Sequence, residues 1–264
     1  MPAWKVTKLW TDKEIGEYRA YVAKEGPNKV KQGLRCTCED LAIQIVTEFA
    51  SKNGLPIFFV NGAHDFPNGI TPEEYSNYGD FLNEVQKTSA AIDVARIVES
   101  IRGAADSEPT SLRVAKPGDL ILLYDPIHHV QVVTSASSSE VKIVQGNTDR
   151  NFFGGGQDPR SGSYIGVKAA EKRYVLDKDK WLYEDQGELF KEQHGRLRIW
   201  PFAAWNSRMI KYTVKNGDTF LTIARNVYGQ SATPYAINAV FLAVDGMVDS
   251  AGNPRVGLVL YLWK

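Results

Sequence analysis

The chain has 2 cysteines and 4 histidines, the residue types best suited to nucleophilic and general-base chemistry near neutral pH. Cys36 and Cys38 are separated by a single residue, a spacing that makes a poor disulfide, so these thiols serve either chemistry or packing. Thr37-Cys38-Glu39-Asp40 places a hydroxyl three residues before an acid and just ahead of an apolar run, the signature of a helix N-terminus. The pattern predicts Thr37 as the N-cap and Cys38 in the first turn. A thiol there faces unpaired N–H groups and the positive end of the helix dipole, which favours thiolate. Glu39 and Asp40 act in the opposite sense. The competing reading, a small apolar filler, is the better one for Cys36.

A cysteine nucleophile needs a base. His64 and His194 lie in polar, loop-like stretches, whereas His128 and His129 open an apolar run that reads as a strand. Neighbouring strand residues point to opposite faces, so only one of these two can serve the cysteine helix; a solvated loop histidine is the plain alternative. A hairpin pivoting near Ser137 would set His129 opposite Gln145, with Asn147 two residues on. Asp149 shares that parity if the strand continues. An amide or carboxylate at Asn147, or else at Gln145 or Asp149, would orient the imidazole; Asn147 also suits a turn. Cys36, Cys38, His128 and His129 lack the usual zinc-ligand spacing, and Gly154-Gly155-Gly156 lacks the context of a phosphate cradle. No metal and no cofactor is therefore expected.

These groups need elements to hold them. A helix-like stretch at 14–24 is ended by Gly26-Pro27. The next runs from Cys38, with Leu41, Ile45 and Phe49 at helical spacing, to a stop at Gly54-Leu55-Pro56. A broken helical stretch follows at 71–103, then a buried strand at 119–124 after Pro117-Gly118. Segments 129–134 and 141–144 read as a hairpin, 151–163 as a glycine-rich loop and 164–174 as a further strand. The aromatic stretch 198–206 reads as core or interface packing, with a substrate shelf as the sharper alternative. Beyond a boundary near 207–210, strand 211–214, helices 219–227 and 235–244 and strand 257–263 form a small β-α-α-β unit. The expectation is an α+β domain over 1–207 and a module over 208–264.

Composition narrows the function classes. With 264 residues, 43% of them hydrophobic, the chain can bury a core. Its 31 basic and 31 acidic side chains cancel, unlike the basic excess of nucleic-acid binders. No apolar run reaches the ~18 residues of a membrane helix, and the opening MPAWKVTKLWTDKE has no apolar signal core.

The order Cys38-Glu39-Asp40-Leu41-Ala42, Gly54-Leu55-Pro56, Lys116-Pro117-Gly118-Asp119-Leu120-Ile121, His129-Val130-x-x-Val133 and Val144-Gln145-Gly146-Asn147-Thr148 resembles the NlpC/P60 and CHAP cysteine hydrolases, papain-like enzymes that cleave amide bonds in peptidoglycan. The likeness spans about 32–148. It departs where the family's Asp-Cys-Ser-Gly reads Thr37-Cys38-Glu39-Asp40, and in the long insertion between Cys38 and His129. It implies a catalytic helix packed on an antiparallel sheet, with Cys38 as nucleophile, His129 as base and Asn147 as orienter. A transglutaminase-like acyltransferase of the same superfamily also suits the pattern. Tyr212-Thr213-Val214-Lys215-Asn216-Gly217-Asp218-Thr219-Phe220, followed by Ile223-Ala224 and Tyr228-Gly229, resembles the opening of a LysM domain. That likeness implies a glycan-binding βααβ module with Gly217, Asp218 and Thr219 near the sugar; its second half departs from the pattern.

Together these resemblances imply a peptidoglycan hydrolase made in the cytoplasm and acting in the periplasm or cell wall, exported by a secretion machine or released by phage lysis. Delivery as a toxin, for example a type VI secretion effector, would imply an immunity protein or secretion-apparatus component as partner. The rival classes are a non-catalytic adaptor of a contractile injection or phage-tail apparatus and a glycan-binding protein with an inactive hydrolase fold.

Overall fold

The computed structural model describes residues 2–61, 69–101, 109–123, 129–146, 167–178, 180–185, 188–190 and 195–263. Helix α1 (Asp12–Lys31) opens on Thr11, whose side chain accepts the Lys13 N–H, and places acids in its first turn and lysines in its last, as the helix dipole favours. The expected stop at Gly26-Pro27 does not occur. Pro27 removes one helical hydrogen bond, but tertiary contacts hold the helix on both sides of it. A Cβ at Gly26 would stand 2.7 Å from Thr134 Cγ2, so the helix backbone itself lies against the sheet. Beyond Pro27, Lys29 Nζ reaches Glu48 at 2.8 Å.

After the short strand β1 (Arg35–Cys36), helix α2 (Cys38–Asn53) begins where expected: Thr37 Oγ1 accepts the Asp40 N–H, and Gly54 ends the helix in the left-handed region at φ 63°. Leu41, Ile45 and Val46 are fully buried. The broken helical stretch resolves into a 3-10 turn (Pro72–Glu74), α3 (Tyr78–Thr88) and α4 (Ala91–Ile97), and it ends in the two-residue strand β2 (Glu99–Ser100).

The remaining strands of this part are β3 (Leu120–Leu123), β4 (His129–Ala136), β5 (Glu140–Gln145), β6 (Val167–Lys168), β7 (Ala170–Asp177), β8 (Lys180–Asp185), β9 (Glu188–Phe190) and β10 (Gly195–Ile199). Counting the edge strand β2, eight of them form one sheet in the order β2-β10-β3-β4-β5-β7-β8-β9; all neighbours in it are antiparallel. β1 pairs separately with β6. The sheet is apolar on both faces. Leu120, Leu122, Val130, Val132 and Val144 pack with the helices. The alternate residues Ile121, Val133, Ile143, Tyr174, Trp181 and Leu197 make a second core under Leu112 and Ala115, as period-two alternation requires.

The Pro117-Gly118-Asp119 turn ties α1 to the sheet. Gly118 has φ +87°, and a Cβ on it would stand 2.7 Å from the Tyr18 ring. The buried Asp119 carboxylate accepts from the Lys116 N–H at 2.8 Å and pairs with Arg19 at 2.7 Å. The aromatic stretch is core: Trp200, Phe202 and Trp205 are buried with the helices, and Asn206 exchanges two hydrogen bonds with the Trp10 backbone at 2.9 and 2.6 Å.

Helix α5 (Phe202–Ser207) leads into the C-terminal unit: β11 (Met209–Thr213), α6 (Phe220–Tyr228), α7 (Pro234–Val244) and β12 (Val259–Trp263). β11 and β12 form an antiparallel pair, and the unit has its own core around Ile223, Val240 and Leu262. Its base is shared: Met209 and Trp263 pack into the helix-side core of the larger unit. The whole is an α+β fold, and no described helix is long and apolar enough to cross a membrane.

Candidate active site

The site is built where α2 begins against the ends of β4 and β5. Gly146 makes the approach feasible, because a Cβ there would fall 2.4 Å from the carbonyl oxygens of Cys36 and Thr37. The N-terminus of α2 is thereby pressed onto the end of β5. Cys38 is buried, at 3% exposure. Its thiol donates to Glu39 Oε2 at 3.1 Å, and backbone N–H groups of Val130 and Glu39 point at the sulfur. Burial and then the Glu39 carboxylate hold the thiol well above its ordinary pKa, outweighing the two backbone donors. The helix terminus alone predicts an acidified thiol; desolvation reverses the sign. Cys36, also buried, is pushed up to about 12, chiefly by burial. Burial also lifts Asp40, with Glu39 adding to it, to about 6.

His129 does not face Gln145 squarely as the hairpin reading expects. Val132 pairs with Val144, and a bulge between Val133 and Ser135 shifts the register. Gln131 is thus the residue level with Gln145, and His129 lies diagonally beside it. The serine turn pairs Ser137 with Glu140, which moves the pivot past Ser137. His129, Gln131 and Gln145 share one face as expected. It is the face turned away from the helices, whose apolar contacts come from Val130, Val132 and Val144. The link between imidazole and thiol runs through Glu39, whose carboxylate accepts from Cys38 and favours the charged form of His129.

The imidazole is held by a buried polar chain. Gln145 Oε1 lies 3.0 Å from His129 Nε2 and also accepts from Gln131 Nε2 at 2.6 Å. Gln145 Nε2 donates to Tyr183 Oη at 3.0 Å, and Tyr174 Oη donates to Gln131 Oε1 at 2.8 Å. With an acceptor oxygen facing Nε2, the proton of the neutral ring sits there and Nδ1 is the basic nitrogen. Burial lowers the His129 pKa, against the opposing influence of Gln145 and Glu39, so the ring is largely neutral at pH 7. Gln131, Tyr174 and Tyr183 escaped the sequence reading. Their signal was present in Val130-Gln131-Val132 and Val144-Gln145-Gly146, where a glutamine interrupts an apolar strand face.

Asn147, Asp149, His64, His128, His194 and the 151–163 loop lie outside the described residues. In the C-terminal unit, Gly217, Asp218 and Thr219 build the turn before α6. Gly217 has φ +83°. The Asp218 carboxylate accepts from the Lys215 N–H at 2.7 Å and Tyr212 Oη at 2.9 Å. Thr219 caps α6 by accepting the Thr222 N–H at 3.1 Å.

A scan against protein-family profiles, a search of curated proteins and a search of solved structures each found no match.

Proposed function

We propose that the chain is a papain-like cysteine hydrolase acting on amide bonds of peptidoglycan, with Cys38 as nucleophile, His129 as base and Gln145 as orienter. The observation that carries this reading is the polar chain that holds His129 Nε2 beside the helix start where Cys38 takes the Val130 N–H. In the reaction, the thiol proton passes by way of the Glu39 carboxylate to Nδ1, the sulfur attacks the amide carbonyl, and the same proton leaves with the amine. Water then cleaves the thioester and restores the thiol. In the resting site the thiol is protonated and bonded to Glu39, so substrate must draw Glu39 off the sulfur before attack. Peptidoglycan as substrate, the LysM-like module as its targeting unit, and export as a toxin or lysin rest on the sequence resemblances alone.

A second reading has its own observation. A thiol that is 3% exposed and pushed upward by burial has the character of a packing cysteine, as expected of a non-catalytic adaptor. The two readings separate on one experiment: purified sacculi are incubated with the wild-type chain, Cys38→Ala and Cys36→Ala, and released fragments are weighed by mass spectrometry. The hydrolase releases amide-cleaved fragments, loses all release with Cys38→Ala and keeps most of it with Cys36→Ala. No release by the wild type supports the adaptor, and equal loss in both variants removes Cys38 as the nucleophile.

A further inference from the structure

Glu39 acts on both groups that carry the proposed chemistry. The Cys38 thiol donates to Glu39 Oε2 at 3.1 Å. Among the described residues no hydrogen bond joins the sulfur to His129, whose Nε2 meets Gln145. The group in contact with the thiol proton is therefore a carboxylate, and the same carboxylate favours the charged form of His129. Glu39 is partly exposed, so its side chain has room to turn. It stands where the family resemblance has a neutral serine.

The sulfur sits in surroundings made for an anion and is kept from becoming one. The N–H groups of Val130 and Glu39 point at it, as they would to hold a thiolate. Burial opposes that charge and is fixed by the packing of α2 on the sheet. The Glu39 carboxylate opposes it as well, by its charge and by a hydrogen bond that needs the proton on sulfur. Only the second opposition can be lifted by one side chain. The other titratable groups at the site are Asp40 on the same helix, Cys36 on β1, with Lys29 of α1 acting on it, and His129 on β4.

We infer that Glu39 is itself a catalytic residue, one that holds Cys38 inert at rest and carries its proton to His129 in turnover. In contact with the sulfur, the carboxylate takes the thiol proton, which leaves a thiolate on the two N–H groups and a neutral carboxylic acid. The acid turns off the sulfur and gives the proton to Nδ1, so the carboxylate is restored and an imidazolium forms. The carrier role rests on the hydrolase reading; the hold on the thiol does not.

The test is iodoacetamide alkylation of Cys38 against pH in the full chain, the label placed by fragment mass spectrometry, beside fragment release from sacculi. A like charge this close changes proton affinity by about ten- to a thousandfold, and a less basic thiolate is also a weaker nucleophile. Glu39→Gln should therefore alkylate about three- to thirtyfold faster at pH 7. Asp40→Asn, which removes a neighbouring charge not bonded to the sulfur, should change the rate much less. Turnover should move the other way, with Glu39→Gln releasing fragments at least ~10²-fold more slowly at an unchanged or raised melting temperature. A folded Glu39→Gln variant that alkylates no faster than the wild type, or an Asp40→Asn variant that gains as much, overturns the hold on the thiol. Undiminished release by Glu39→Gln overturns the carrier role. A wild type that releases nothing refutes the hydrolase reading and the carrier role with it, while the alkylation rates still decide the hold.

Discussion

Two regions of this molecule take polar side chains out of water and treat them in opposite ways. Around His129, each buried amide or hydroxyl finds a partner: Gln145 meets His129, Gln131 and Tyr183, and Gln131 meets Tyr174. Around Glu73 the carboxylate has no donor among the described residues, and its pKa rises to about 7. Neutral amides and hydroxyls, once satisfied, lose little on burial and lock one arrangement of side chains. A carboxylate without a counter-charge keeps its desolvation penalty until something supplies one. The first region is finished by the fold; the second keeps an acid with no counter-charge among the described residues.

That contrast breaks or sharpens under substitution. The imidazole comes first. If the chain hydrolyses amides, His129→Ala should cut turnover on sacculi by a factor of about 10² to 10⁴, the usual worth of general-base help. It should also slow iodoacetamide alkylation of Cys38; an unchanged alkylation rate would separate the imidazole from the thiol.

Next is the centre of the polar chain. Gln145→Ala leaves Gln131, Tyr183 and His129 each short of a partner, and unfolding in urea should show a loss of roughly 2–4 kcal/mol. A loss under about 0.5 kcal/mol would mean the network is not finished as described.

The Glu73 comparison is a matter of sign. A carboxyl whose folded pKa of about 7 exceeds its ordinary 4.5 binds its proton more tightly in the folded state. Its contribution to stability is therefore highest at low pH, falls as pH rises through about 4.5 to 7, and is flat above. Glu73→Gln should remove that slope and stabilise the chain at pH 8 by about 1–3 kcal/mol. Urea melts of both proteins at pH 4 and pH 8 check it; an equal or lower stability of the variant at pH 8 would reveal a hidden counter-charge.

The smallest effect belongs to a residue whose partner is simply local. Thr219→Ala deletes the cap of α6, and should lower the stability of the C-terminal unit by about 1 kcal/mol without touching the larger unit. Hydrogen exchange read unit by unit would detect it.

Local signals read well wherever their partners lie within a few residues. Thr37 at the start of α2 and Gly54 at its end each complete a hydrogen-bond pattern inside one turn, so their roles stood in the sequence by itself. The β-α-α-β order of the C-terminal unit was legible for the same reason, through its turn residues and apolar spacing. The core role of Trp200, Phe202 and Trp205 could be read from composition, although not which rings they meet.

Only tertiary structure decided the rest. Pro27 predicts a helix end because it removes a hydrogen bond; the contact of Gly26 with Thr134 and the pairing of Lys29 with Glu48 keep α1 whole. The hairpin parity was legible, but the turn pairs Ser137 with Glu140, past the expected pivot, and together with the bulge after Val133 this sets Gln131 rather than His129 level with Gln145. The sequence placed Cys38 at a helix start, which by itself lowers a thiol pKa, and burial under the sheet raised it instead. Glu73 and the start of α7, more than a hundred and fifty residues apart, come to line one cavity only in the folded chain. Hydrogen bonds and caps act over a few residues and are written locally. Register, desolvation and missing counter-charges depend on which distant segments pack together, and a linear pattern carries no distance between them.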